Sequence, residues 1–158
     1  MVPEAVTRAV LAEEFPPAEA WAARHGWELS ANLDGLRLQA RTVHPLDGEP
    51  LLIIATFDGY RAVPPAWKLV DPETGETTNH SFPQPGPVGP GLSSIFHGSL
   101  VICAPWNLLA YSDHGGPHAN WNGPSNWLNV NEGNRAVNIA EMLSTINVHL
   151  RTSPGRMG

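Results

Sequence analysis

The sequence contains little cysteine, little lysine and little charge. Its 158 residues include one cysteine, Cys103, and one lysine, Lys68. Charged residues make up 15% of the chain, against about 25% in an average soluble protein. A single cysteine excludes an internal disulfide, and this cysteine usage is typical of proteins in the reducing cytoplasm.

The distribution of charged and apolar residues argues against two classes of partner, nucleic acids and membranes. Nine basic and fifteen acidic residues give a net charge of −6, and the basic residues are scattered from Arg8 to Arg156 without a cluster. Binding to a nucleic-acid backbone needs a concentrated positive surface, so we expect no nucleic-acid partner. No apolar run approaches the roughly 18 residues of a membrane span, and the first residues are acidic where a secretory signal would be basic. We therefore expect a cytoplasmic protein with no membrane partner.

The first third of the chain has the signals of a helix and then of strands. Pro3 suits a helix start, whereas Pro16 and Pro17 are expected to interrupt that helix. A second short helix is predicted over residues 18–24, with Gly26 as its left-handed stop.

Two regular strands and a third shorter one follow. Residues 36–42 alternate apolar and polar side chains, which predicts a strand with one wet face. Residues 51–57 are continuously apolar, which favours a central strand, and the turn residues 45–48 join the two as a hairpin. A further strand is predicted over residues 67–70.

The second half of the chain is irregular until its last helix. Residues 83–91 hold seven prolines or glycines in nine positions and predict a loop. Residues 100–103 predict a brief strand, and residues 104–131 an irregular segment packed down by its tryptophans. Residues 135–150 predict an amphipathic helix that buries one face and leaves His149 on another. The buried face is formed by Ile139, Leu143, Ile146 and Leu150. These elements predict a single α+β domain over residues 1–158, with one layer of helix on one antiparallel sheet.

Cys103 is the candidate reactive group, and the residues around it allow three interpretations. Its place at the end of a short strand favours an exposed nucleophile, although a lone cysteine is more often a buried structural residue. In a catalytic site, a nearby histidine or Asn107 would polarise a carbonyl or manage a proton beside the sulfur. In a metal site, Cys103 would bind zinc together with His114 and His118. The fourth zinc ligand would be Asp113, Glu132 or His97.

Three stretches, taken in order, resemble the ubiquitin-conjugating enzyme family. Residues 57–65, FDGYRAVPP, resemble the signature F-P-x-x-Y-P-x-x-P-P, with the tyrosine and both prolines in register. The Ile-Phe-His at residues 95–97 and the Leu-Val-Ile-Cys at 100–103 are similar to the I-Y-H-P-N segment that leads into the catalytic cysteine. A tryptophan after the cysteine and the helix at 137–146 complete the resemblance, which covers roughly residues 36–150.

The chain also departs from the family pattern. Gly98 and Ser99 replace the Pro-Asn that follows the histidine, so the asparagine usually credited with steadying the oxyanion is missing from its place, and Asn107 is the nearest substitute. Residues 71–94 form an insertion, and the sequence has one helix after the cysteine, without the two further C-terminal helices of most members. This pattern resembles the divergent bacterial relatives of the family, some of which act in antiviral defence.

The resemblance implies a thioester carrier that needs no cofactor. Cys103 would receive the C-terminal glycine of a ubiquitin-like protein from an activating enzyme and pass it to an amine of a target protein. Asn107 and His97 would be candidates to offer hydrogen bonds to the oxyanion, and Asp113 or His114 to take the proton of the amine. The family's histidine at the position of His97 shapes a turn, and we favour that role here. Alternatives are a catalytically inactive binding module with the same fold, or the metal-binding domain described above.

Overall fold

The computed structural model describes residues 2–112, 118–131 and 134–158. A long helix, α1 (Glu4–His25), precedes a four-stranded sheet, and the helix α2 (Ile139–Arg151) follows an irregular segment. The strands are β1 (Glu28–Asn32), β2 (Arg37–Val43), β3 (Pro50–Thr56) and β4 (Ala66–Val70). Short 3₁₀ helices in the irregular segment span Leu108–Tyr111, Ala119–Trp121 and Pro124–Asn129. The α+β class predicted from the sequence is confirmed.

Helix α1 continues through Pro16 and Pro17, so the predicted break between two helices is wrong. A proline lacks the N–H that would bond to the carbonyl four residues earlier. Both prolines and the preceding Ala12 and Glu13 lie on the exposed side of the helix, where water can hydrate the two carbonyls. Leu11, Ala18, Trp21 and Ala22 are buried on either side of the prolines, and this packing holds the helix continuous. The predicted stop is confirmed, because Gly26 has a φ of 73° and its N–H caps the helix.

The sheet is an antiparallel meander in the order β1-β2-β3-β4. The predicted hairpin is confirmed, since β2 and β3 pair from Arg37 with Thr56 to Val43 with Pro50. Along β2 the buried Leu38 and Ala40 alternate with the exposed Arg37 and Arg41, so one face of this strand contacts the core and the other contacts solvent. Strand β3 is central, as its continuous apolar sequence predicts.

The segment after the sheet has less regular structure than expected. The strand predicted at residues 100–103 is reduced to one isolated bridge between Phe96 and Ile102. Leu100 adopts a φ of 64°, in the left-handed region that an extended strand does not use. The predicted irregular packing is confirmed, because Trp106, Trp121 and Trp127 are all buried.

Helix α2 begins four residues later than expected. Asn138 caps it by accepting a hydrogen bond from the Glu141 N–H at 2.9 Å, while the Glu141 carboxylate accepts one from the Val137 N–H at 2.9 Å. This reciprocal capping sets the first helical residue at Ile139. The predicted apolar face is confirmed, but His149 is buried together with it and is only 2% exposed.

Both helices and the sheet share one hydrophobic core, and Glu14 fixes their relative positions. Its carboxylate accepts hydrogen bonds from the Tyr60 hydroxyl at 2.8 Å, the Arg61 guanidinium at 2.9 Å and the Ile139 N–H at 3.0 Å. Glu14 thereby joins α1 to the turn before β4 and to the first residue of α2. Among the described residues, neither helix combines the length and the apolar character that crossing a bilayer requires.

Candidate active site around Cys103

Cys103 lies directly after the Phe96–Ile102 bridge and lines an open cleft. Its backbone N–H donates to the carbonyl of Ile95 at 2.7 Å, so the residue is held against the neighbouring strand-like segment. The side chain is half-buried. The cleft has a volume of about 510 Å³, and its other walls include Ser93, His97, Pro105, His118, Trp121 and Asn134. The Cys103 side chain therefore lines a cleft that is open to solvent.

The imidazole of His118 lies beside the sulfur. Its Nε2 atom lies 3.3 Å from Cys103 Sγ. The imidazole stacks on the indole of Trp121, with ring centroids 4.2 Å apart and planes inclined by 25°. Trp121 in turn packs against Tyr111, whose hydroxyl donates to the carbonyl of Pro105 at 2.8 Å. The aromatic stack fixes the plane of the imidazole beside the sulfur.

Burial sets the protonation state of the sulfur. It raises the pKa of the Cys103 thiol above its ordinary value, because the charged thiolate loses solvation in a half-buried position. The resting group is therefore a thiol, and an unprotonated Nε2 of His118, 3.3 Å away, is placed to accept its S–H. The imidazole can accept the proton of the sulfur when the sulfur attacks an electrophile.

His97 lines the same cleft, and its hydrogen bonds to Ser99 and Val101 lie within a turn. Its Nδ1 atom lies 2.8 Å from the Ser99 hydroxyl and accepts the Ser99 N–H at 3.2 Å. Its backbone N–H donates to the carbonyl of Val101 at 3.1 Å. These bonds shape the turn over residues 97–100 that leads the chain to Cys103.

Asn107 is not at the cleft, and the structure does not support its expected role beside the sulfur. The residue is fully buried. Its Oδ1 accepts the N–H groups of Trp67 at 2.9 Å and Leu109 at 3.3 Å. Its Nδ2 donates to the carbonyls of Ile102 at 2.8 Å and Trp67 at 3.4 Å. Asn107 therefore bonds to the outer edge of β4 as a neighbouring strand would, and its amide hydrogens are used inside the core.

The other predicted site residues lie outside the described part of the chain. Asp113, His114 and Glu132 belong to the segments that the structure does not describe. Of the predicted zinc ligands, Cys103 and His118 are brought together. Within residues 2–112, 118–131 and 134–158, no group of three potential metal-ligating side chains is assembled.

Two residues that the sequence analysis did not select support the cleft. Asn134 lines it, and the Asn134 Oδ1 atom lies 2.9 Å from Nε2 of the buried His149. The other ring nitrogen of His149, Nδ1, accepts the N–H of Ile95 at 3.1 Å. Burial lowers the pKa of His149 to about 4, so the imidazole is neutral near pH 7. A sequence signal for His149 exists, since it follows Ile146 by three positions on the same helix face, but Asn134 has none.

Comparison with protein-family models, curated proteins and solved structures finds no match for this chain. Its own geometry therefore carries the functional argument. A half-buried thiol with an adjacent imidazole, in a cleft that solvent can enter, is an arrangement suited to acyl transfer through a covalent cysteine intermediate.

Proposed function

We propose that this protein is a ubiquitin-conjugating-like carrier that holds a ubiquitin-like protein as a thioester on Cys103 and transfers it to an amine. The observation that carries the proposal is the position of Cys103. Its side chain lines an open cleft, and its Sγ atom lies 3.3 Å from Nε2 of His118. The proposed partners are an activating enzyme that supplies the thioester, the ubiquitin-like protein itself and a target protein that supplies the amine.

The charging step exchanges one thioester for another. As the Cys103 sulfur attacks the carbonyl carbon of the donor thioester, its proton passes to His118 Nε2, and a tetrahedral intermediate with a negative oxygen forms. The carbon–sulfur bond to the donor cysteine then breaks, and the departing thiolate takes the proton from His118. The products are an acyl thioester on Cys103 and a free thiol on the donor.

The discharge step forms an amide. An amine of the target attacks the Cys103 thioester, a carbon–nitrogen bond forms, and the bond to the Cys103 sulfur breaks. The amine loses one proton to His118, which returns it to the departing sulfur. His118 thus serves both steps, in the place for which the sequence analysis considered Asp113 and His114.

The architecture supports the same proposal at the level of fold. An N-terminal helix, a four-stranded antiparallel meander, an irregular segment with the cysteine and a closing helix occur in the order that the ubiquitin-conjugating resemblance implies. Tyr60, Pro64 and Pro65 of the resemblance motif are all buried between β3 and β4, where they shape the turn into β4. Such a carrier, with a single cysteine and therefore no internal disulfide, fits the cytoplasm, where thiols stay reduced.

One observation favours a second candidate function, a binding module with the same fold and no chemistry. Burial raises the pKa of the Cys103 thiol, so the reactive thiolate is a small fraction at neutral pH. In that case the cleft would bind a peptide tail without forming a covalent bond.

The experiment that separates the two offers the protein an activated acyl group. The probe is a synthetic peptide that ends in Gly-Gly and carries a mercaptoethanesulfonate thioester at its C-terminus. Intact-mass spectrometry of the wild-type protein should show one added peptide, and Cys103→Ala should show none. A wild-type protein that remains unmodified while binding the peptide would support the binding module instead.

A further inference from the structure

Acyl transfer at Cys103 needs a hydrogen-bond donor beside the reacting carbonyl. In the tetrahedral intermediate the carbonyl oxygen becomes negative, and a preorganised N–H lowers the free energy of that state. Asn107 cannot supply it, because its amide hydrogens are bonded inside the core. The proposed mechanism therefore requires a donor other than Asn107.

Asn134 is an amide side chain on the wall of the Cys103 cleft. Its Nδ2 donates to the carbonyl of Ser93 at 3.0 Å, and Ser93 also lines the cleft. A primary amide carries two hydrogens, and the Ser93 bond uses one of them. The backbone of Asn134 is also held in place, since its carbonyl accepts the indole N–H of Trp106 at 2.8 Å.

His149 determines which way the Asn134 amide points. The Ile95 N–H donates to His149 Nδ1, so the neutral ring carries its proton on Nε2. That Nε2–H donates to Asn134 Oδ1 at 2.9 Å. The oxygen of the amide is thereby turned toward α2, and its nitrogen is turned toward Ser93. The same imidazole also supports the sulfur, because Ile95 accepts the Cys103 N–H through its carbonyl.

We infer that the Asn134 side-chain amide, oriented by His149, is the hydrogen-bond donor to the oxyanion formed during acyl transfer at Cys103. The inference rests on the proposed function. In it, Asn134 is a catalytic residue and His149 is a positioning residue.

The experiment compares acyl transfer with alkylation of the same sulfur. Transfer from the Gly-Gly peptide thioester forms an oxyanion, whereas iodoacetamide alkylates sulfur by direct displacement and forms none. Asn134→Ala and Asn134→Asp are measured for both reactions. The aspartate variant keeps an oxygen toward His149 and has no N–H, and it serves where the alanine variant folds poorly. Asn129→Ala, a change at an exposed asparagine outside the cleft, is the matched control.

We expect the saturated transfer rate, divided by the alkylation rate, to fall about 100- to 1,000-fold in both Asn134 variants. The peptide concentration at half-saturation should stay near that of the wild type, and Asn129→Ala should change neither reaction. A ratio at the wild-type level, whether both rates are unchanged or both fall equally, would overturn the inference while leaving the carrier function intact. A wild-type protein that never acquires the peptide would instead overturn the proposed function, and this inference with it.

Discussion

The Nδ1 atom of His149 accepts the backbone N–H of Ile95 at 3.1 Å, although 54 positions separate the two residues in the chain. The carbonyl of the same Ile95 accepts the backbone N–H of Cys103. Ile95 therefore connects helix α2 to Cys103. The sulfur is therefore positioned from the closing helix, through a histidine that is almost fully buried.

His149→Leu should destabilise the fold by about 2–3 kcal/mol, because it leaves the buried Ile95 N–H without an acceptor and the Asn134 oxygen without its donor. His149→Gln can offer both an acceptor and a donor and should lose about 1 kcal/mol. Urea unfolding followed by tryptophan fluorescence measures both values. If His149→Leu matched the wild type, the hydrogen bonds of this imidazole would not contribute to stability.

Stability should fall as the pH drops from about 6.5 to about 4. The pKa of His149 is lowered to about 4 in the folded protein by burial, against about 6.5 in the unfolded chain. The unfolded chain therefore binds more protons in this window, and the free energy of unfolding decreases by about 2–3 kcal/mol. Within the described part of the chain, the ring contacts the Ile95 N–H, Asn134 and the Phe96 ring, none of which is charged.

The control for this pH dependence is His149→Gln, in which the fall between pH 6.5 and 4 should be smaller than in the wild type.

A second loss of stability is expected at lower pH. The hydrogen bond from Arg156 lowers the pKa of Asp47 to about 2, so its stabilising effect is present above about pH 4 and is lost between about pH 4 and 2. Urea unfolding at a series of pH values separates the two windows, and identical profiles for the variant and the wild type would argue against His149 as the titrating group.

Asn107→Ala should affect stability and leave the chemistry of the folded protein unchanged. The variant loses the side-chain bonds that join the edge of β4 to the segment before Leu108–Tyr111 and leaves buried backbone groups unpaired, at a cost of about 2–4 kcal/mol. Thermal unfolding measures the loss, and peptide transfer per folded molecule should stay within twofold of the wild type. A specific fall in transfer with unchanged stability would return Asn107 to the active site.

His118→Ala should slow peptide transfer about 100-fold or more near pH 7, because the Cys103 thiol then loses its proton acceptor. The imidazole is exposed to solvent, so the midpoint of thermal unfolding should change little. His80→Ala removes another exposed histidine away from the cleft and is the matched control. Transfer at the wild-type rate in His118→Ala would remove the imidazole from the mechanism.

The elements set by local pattern were predictable from the sequence. The β2–β3 hairpin has alternation in one strand, a continuous apolar run in the other and a turn signal between them, and all three act over short distances. The apolar face of α2 has the same basis, since the helical period brings Ile139, Leu143 and Ile146 together. Each of these features depends on neighbours within about ten residues.

The features that were not predictable depend on contacts between distant segments. The break expected at Pro16 does not occur because both prolines lie on the exposed side of the helix, while its other side packs in the core. A sequence does not state which side of a helix is buried. His149 is buried because the Ile95 segment passes over the end of α2. The choice between Asn107 and Asn134 depends on the same kind of contact, because only folding decides which asparagine bonds to the edge of β4 and which lines the cleft.

The most direct test of the central claim is the chemistry of the bond formed at Cys103. The wild-type protein is charged with the Gly-Gly peptide thioester, freed of excess peptide and divided between dithiothreitol and free lysine, and each sample is followed by intact mass. We predict that dithiothreitol releases the peptide and that lysine releases it as the peptidyl-lysine amide, with no adduct at any stage in Cys103→Ala. An adduct that survives dithiothreitol, or that forms equally on Cys103→Ala, would contradict the assignment of Cys103 as a thioester carrier.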